Sequence, residues 1–317
     1  MLTHATVPTT SDPARIDAAL VDLELTIRRR IDGLLHGNHL GLVPGPGSEP
    51  GEARPYVAGD DVRRMDWSVT ARTTVPHIRQ TVADRELEVW LAVDLSASMD
   101  FGTARCEKRD LAVAAASVMA HLTRGGGNRL GAVVVAGGTI RRLPPRGGRD
   151  AIQHTLRTIA LTPRTEPGHR GDLAGALEAL RRPPRRRGLV VAISDFLGPL
   201  TWEGPLRALG ARHELVAVAV SDPRDTELPA VGYVTLVDPE TGRRKEIRTS
   251  RALRARFGAA AAEHRAEVMA ALRRVGAPTL SLSTDRDWAA DVMRFVARRK
   301  RGWTGAAAPG IIERGAI

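Results

Sequence analysis

Two stretches of the chain are apolar almost without interruption, residues 87–93 and 189–194, and each ends in an acid, Asp94 and Asp195. Runs of this length without polar alternation predict strands buried on both faces. Most of the remaining pattern has helical spacing. Ile16, Leu20, Leu23 and Ile27 recur every three or four residues after a capping Asp12, which predicts a first helix ending near Gly33. Residues 37–51 are rich in Gly, Pro and Ser and read as an irregular linker, and residues 77–86 could form a strand. Further helices are predicted at 106–123 (stopped by Gly125-Gly126-Gly127), 149–160, 172–182, 202–209, 251–275 and 288–299. Strands are predicted at 130–136, 139–143, 214–220 and 279–283, with hairpins at Gly137-Gly138 and around 239–242. Apolar strands alternating with helices imply an α/β fold, a mostly parallel sheet flanked by helices. The organisation expected is a helix and linker over 1–50, an acidic segment over 51–86 leading into the sheet, a domain over 87–300 with a hairpin insertion near 231–248, and a loose tail from 301 to 317.

Charge changes this picture little. The 317 residues carry a net +11, and Lys108, Lys245 and Lys300 are the only lysines, so nearly all the positive charge is arginine. Arginine suits bidentate contacts with carboxylates and phosphates, which points to acidic partners. Aromatics are only 3%, too few for a base-stacking platform, so nucleic acid is not favoured. Cys106 is the only cysteine, which excludes intrachain disulfides and paired-cysteine zinc sites. Residues 1–13 lack the charged start and apolar stretch of a signal peptide, and the longest mostly apolar run, 111–120, is far short of the roughly 18 residues a membrane helix needs. A cytoplasmic protein without membrane insertion is expected. No G-x-x-x-x-G-K-[ST] occurs, so this is not a P-loop ATPase.

Candidate chemistry gathers where the buried strands end. Asp94-Leu95-Ser96-Ala97-Ser98 places a carboxylate and two hydroxyls on alternate positions, so that all three can face one point. Oxygen-only donors suit a hard cation such as magnesium, and Asp195 would close the other side. The plainer reading makes Ser96 and Ser98 helix caps. A second polar segment holds Asp60, Asp61, Asp66 and Trp67. It is either a partner-docking loop or, as favoured here, a structural one, its acids acting as caps that pair with Arg63, Arg64 and Arg72 and its tryptophan packed on the sheet.

Asp94-x-Ser96-x-Ser98 and Ile193-Ser194-Asp195 resemble the metal-ion-dependent adhesion site of von Willebrand factor A-like domains. Together with Arg54-Pro-Tyr56, Gly59-Asp60-Asp61, Asp66-Trp67 and Ser98-Met99-Asp100-Phe101-Gly102, they resemble the bacterial family known as domain of unknown function 58. The resemblance implies a von Willebrand A-like (Rossmann-like) α/β fold. It also implies partnership with a MoxR-type AAA+ ATPase and an unknown client protein in chaperone-like assembly or maturation. Carried over, Ser96 and Ser98 would bind Mg2+ directly, Asp94 and Asp195 would act through water, and an acidic side chain of the partner would take one open position. The remaining ligand is normally a threonine, but the matching stretch is Arg170-Gly171-Asp172-Leu173, with Gly171 in that place. Asp172, Thr165 or water would have to substitute, or the site is weak or empty. The expectation is therefore a non-catalytic interaction module. Two rivals are a metal-dependent phosphohydrolase with Asp94 as nucleophile and a metal-free scaffold. The first is disfavoured because Ser96 stands where a phosphotransfer loop usually carries a second acid.

Overall fold

The computed structural model describes residues 12–31, 53–56, 65–79, 87–123, 127–166, 168–181 and 188–306. Strand β3 (Glu88–Asp94) shows why the long apolar runs exist. Val89, Leu91 and Val93 enter the core on one side of the sheet and Trp90 and Ala92 the core on the other, each at most 1% exposed. Strand β6 (Gly188–Ser194) is buried along its whole length in the same way.

Six strands form the main sheet: β3, β4 (Arg129–Ala136), β5 (Thr139–Arg146), β6, β7 (Glu214–Ser221) and β10 (Thr279–Ser283). Their order is β10-β7-β6-β3-β4-β5, parallel throughout except for the antiparallel β4–β5 hairpin at one edge. Pro144 and Pro145 lie in β5, an edge strand, where a missing ladder donor is tolerated. Gly131 in β4 lets the Trp90 ring lie close to the backbone, since a Cβ there would stand 2.8 Å from it. Two smaller two-stranded antiparallel sheets stand apart from this one: β1 (Ala53–Pro55) with β2 (His77–Arg79), and the hairpin of β8 (Tyr233–Val237) with β9 (Arg244–Arg248). Of the strand expected over 77–86, only the first three residues fall in β2, and 80–86 lie outside the described residues.

Helices cover both faces. α1 (Pro13–Ile31), α3 (Lys108–Leu122), α4 (Arg149–Ala160) and α8 (Trp288–Ala306) pack on one side. α5 (Leu173–Arg181), α6 (Glu203–Gly210) and α7 (Arg251–Arg274) pack on the other. The short α2 (Trp67–Thr73) precedes β2.

The first helix of the N-terminal extension packs on the sheet, with Ile16, Leu20, Leu23 and Ile27 all buried in the same core as β3 and α3. The last helix, expected over 288–299, runs on to Ala306. Gly302 and Gly305 do not stop it, since an interior glycine costs only about 1 kcal/mol against alanine.

Candidate functional site

In this strand order the chain leaves β3 toward β4 on one side and returns as β6 on the other. The carboxyl ends of β3 and β6 therefore flank the topological switch point, where open parallel sheets leave a crevice. Asp94 closes β3, and its carboxylate is held from both sides. Oδ1 accepts from Ser96 N at 3.0 Å, and Oδ2 accepts from the Ser194 hydroxyl at 2.7 Å. Burial raises the Asp94 carboxyl above its usual range, helped by the charge of Asp195, while the Ser194 and Ser96 bonds pull the other way. A short 3-10 turn, Ala97–Met99, follows, and brings Ser98 Oγ to 3.3 Å from Ser96 Oγ. The two serine hydroxyls thus meet in space, next to a carboxylate tied to the Ser96 backbone, and Asp94, Ser96 and Ser98 are all under 8% exposed.

Asp195 follows β6 through a backbone turn at Phe196, which has φ 54°, an uncommon value for a bulky residue. That conformation is held by its surroundings. The Phe196 ring packs edge-on against Trp202 with centroids 5.1 Å apart, its N–H donates to Ser194 Oγ, and its carbonyl lies 3.0 Å from His264 Nε2.

A buried cation that no local pattern marks completes this end of the sheet. Lys108, at the start of α3, is 1% exposed and donates to Asp195 Oδ2 at 2.8 Å and to Asp225 Oδ1 at 3.3 Å. Burial pulls the ammonium toward neutrality, and the two carboxylates outweigh it and hold Lys108 above its usual range. Asp225 is raised, mainly by burial, against the pull of Lys108. Asp222 braces the same edge. It accepts from Thr103 N, Thr103 Oγ1 and Thr284 Oγ1 at 2.5–2.7 Å, which ties together the loops after β3, β7 and β10. These bonds keep the Asp222 carboxyl below its usual range despite burial. The available signal for Lys108 was its rarity, a lysine opening an apolar helix in a chain that otherwise uses arginine.

Other expected residues are placed differently. Gly171 does reach the site, and so closely that a Cβ would lie 2.7 Å from Ser96 Cβ and 3.0 Å from Ser96 Oγ, so a threonine has no room. Asp172 is exposed and caps α5, accepting from Gly175 N at 2.7 Å. Thr165 spends its hydroxyl on the Leu95 carbonyl at 3.1 Å. Asp66 is a cap, as its structural reading expects: Oδ1 accepts from Ser68 N and Val69 N at the start of α2. Trp67, expected to pack on the sheet, is 71% exposed instead, because α2 buries no residue. Asp60, Asp61, Arg63 and Arg64 lie outside the described residues.

The donor chemistry was compared with a hard, partly hydrated cation. The Ser96 and Ser98 hydroxyls, 3.3 Å apart, and the Asp94 carboxylate held by Ser96 N are oxygen donors of the type that magnesium takes. The complete five-residue site does not fit: position 171 has neither hydroxyl nor space, and Asp195 is engaged by Lys108. Among the described residues no group of three or more His, Cys, Asp or Glu side chains is arranged to hold a metal ion. Among the same residues, no helix is long and apolar enough to cross a membrane.

Comparison with known proteins bears on the same segments. The chain is 62% identical over 291 residues to the uncharacterized protein Rv1480 of Mycobacterium tuberculosis, covering 92% of each. It is 39% identical over 93 residues to a Paracoccus denitrificans protein named as uncharacterized and lying in the moxR 3′ region, covering 29% of this chain and 85% of that one. Among solved structures, BatB from Bacteroides thetaiotaomicron covers 68% of this chain, and this chain 99% of it, at 16% identity with a TM-score of 0.40. Residues 52–267, which contain Asp94, Ser96, Ser98, Lys108 and Asp195, match the family described as protein of unknown function DUF58, and the chain belongs to that family.

Proposed function

We propose that this protein is a non-catalytic protein-interaction module of von Willebrand A-like type that docks a partner at the crevice above β3 and β6. The reading rests on one observation: Ser96 and Ser98 meet at the switch point beside Asp94 without the base that would activate a serine nucleophile. Ser96 Oγ is bonded to Ser98 Oγ and not to a histidine or lysine base, and Lys108 is committed to two carboxylates. A magnesium ion held by Asp94, Ser96 and Ser98 would supply a positive centre for an acidic side chain of the partner. The chain's own part is to orient these three oxygens, through Ser194 and the turn at 97–99, and to keep Asp195 in place through Lys108. A MoxR-type AAA+ ATPase is the partner that the name of the Paracoccus relative supports. The arginine-rich surface would steer acidic proteins toward the crevice.

The test is retention of a host lysate on the immobilised full chain, with the bound fraction identified by mass spectrometry, for wild type, Asp94→Ala and Ser96→Ala. Capture of a MoxR-type ATPase by wild type and its loss in both variants, with their circular dichroism unchanged, is the expected result. Equal capture by all three removes the crevice as the docking site. Phosphate-ester turnover that vanishes in Asp94→Ala would instead establish the phosphohydrolase reading.

A further inference from the structure

The arm made of β8 and β9 forms its own two-stranded sheet, separate from the main one. Tyr233, Thr235 and Val237 on β8 and Arg244, Glu246 and Arg248 on β9 share one face, and all six are exposed. A lone two-stranded hairpin is marginally stable in water. Its turn should be the most exposed part of all, yet Pro239 and Glu240 are half-buried.

The tip has a defined shape. Asp238 Oδ1 accepts from Glu240 N at 2.9 Å, Asp238 Oδ2 accepts from the Thr241 hydroxyl at 2.5 Å, and the Asp238 carbonyl accepts from Gly242 N at 2.8 Å. Gly242 has φ 69°, which an L side chain rarely adopts. The tip is also moored, because Gly168 N donates to the Pro239 carbonyl at 3.1 Å, on the loop that continues to Gly171 and its contact with Ser96. Glu240 thereby comes within electrostatic range of the crevice. Burial raises its carboxyl first, then the charges of Asp195, Asp94 and Asp238, while Arg170 pulls it down. At the root of the arm, Thr249 N and Oγ1 both donate to the Gly232 carbonyl, at 2.6 and 3.0 Å.

We propose that the β8–β9 arm is an intramolecular stopper, its tip moored through Pro239 to the loop that reaches Ser96 and so set over the crevice where the acidic side chain of a partner docks. This rests on the docking function proposed above and adds its regulation. The closed position combines one backbone mooring bond with repulsion between Glu240 and the two site aspartates, so it opens at small free-energy cost. An acidic segment of the partner competes for the same place, and the exposed aromatic and arginine face of the arm is left free while the tip is down.

Because Gly232 and Thr249 are hydrogen-bonded neighbours, residues 233–248 can be replaced by two glycines in the full chain. Wild type, Glu240→Gln and this armless chain are compared by amide hydrogen exchange and by fluorescence anisotropy with a labelled hexaglutamate peptide in magnesium buffer. Expected are at least tenfold faster exchange at 95–99 and 168–172 and at least tenfold tighter peptide binding in the armless chain. Glu240→Gln, which removes the repulsion from Asp94 and Asp195, should hold the arm down, slowing exchange at the same positions and weakening peptide binding. Exchange at 95–99 and 168–172 that is unchanged in both variants overturns the stopper. Faster exchange with no gain in peptide binding overturns the acidic-docking function and leaves the arm as a cover.

Discussion

The Lys108 ammonium lies 2.8 Å from Asp195 Oδ2, with the two side chains 1% and 3% exposed. A pair this deeply buried is costly to break from one side, since the remaining charge has no water to turn to. Lys108→Met should therefore lose about 3–5 kcal/mol of unfolding free energy in urea titrations. Adding Asp195→Asn and Asp225→Asn to it should recover most of that loss. Lys108→Arg should also destabilise, because a planar fork does not fit where a compact ammonium sits. A neutral Lys108→Met would show that the ion pair does not hold the edge of the crevice.

Restoring the missing threonine should not restore an ion site. Gly171→Thr places a Cβ 2.7 Å from Ser96 Cβ, so the variant should lose about 1–3 kcal/mol through overpacking. Calorimetric titration should find no gain in magnesium affinity over wild type. Tighter magnesium binding in a stable Gly171→Thr chain would mean that the loop relaxes and the contact with Ser96 is unimportant.

Stability should fall in mild acid because of His213. This residue is buried before β7, its Nδ1 has no partner among the described residues, and burial, with Arg212, holds its pKa below the usual range against the pull of Glu88. The unfolded chain takes up the proton first, so folding free energy is lost as pH drops below about 6.5, the ordinary histidine value. His213→Gln should flatten the urea midpoint between pH 7 and 5. An unchanged slope in this variant would assign the acid sensitivity to other groups.

Asp66 and Trp67 are adjacent yet should behave in opposite ways. Asp66→Ala removes the cap of α2 and should cost about 1 kcal/mol, seen as faster amide exchange over 67–73. Trp67→Ala should change stability by less than about 0.5 kcal/mol, as exposed positions usually do. If Trp67→Ala unfolds α2, the exposed placement of its ring is wrong.

How much of this was legible in the residues depends on how local each signal is. Unbroken apolar runs identified β3 and β6, and the terminal acids located Asp94 and Asp195 at the crevice, because strand burial and strand ends are written in consecutive positions. The convergence of Ser96 and Ser98 followed from alternate spacing. Lys108, Asp225 and Glu240 were not legible, since they arrive from a helix, a loop and a hairpin far apart in the chain. The clash at Gly171 was half visible: the missing hydroxyl could be read, but the lack of space beside Ser96 required the fold. Trp67 was expected on the sheet as part of an ordered loop, but it opens α2, which buries none of its residues.

The burial of α1 has a practical consequence for how this protein is divided. The family match spans 52–267, which leaves out α1 and α8, strips strand β10 from the sheet edge and cuts through α7. A fragment expressed at those limits would uncover the apolar flank of α3 and a bare edge of β7, both invitations to aggregation. The segment that the family match covers is therefore smaller than the segment that folds, and any minimal unit has to begin before Ile16 and continue past Val292.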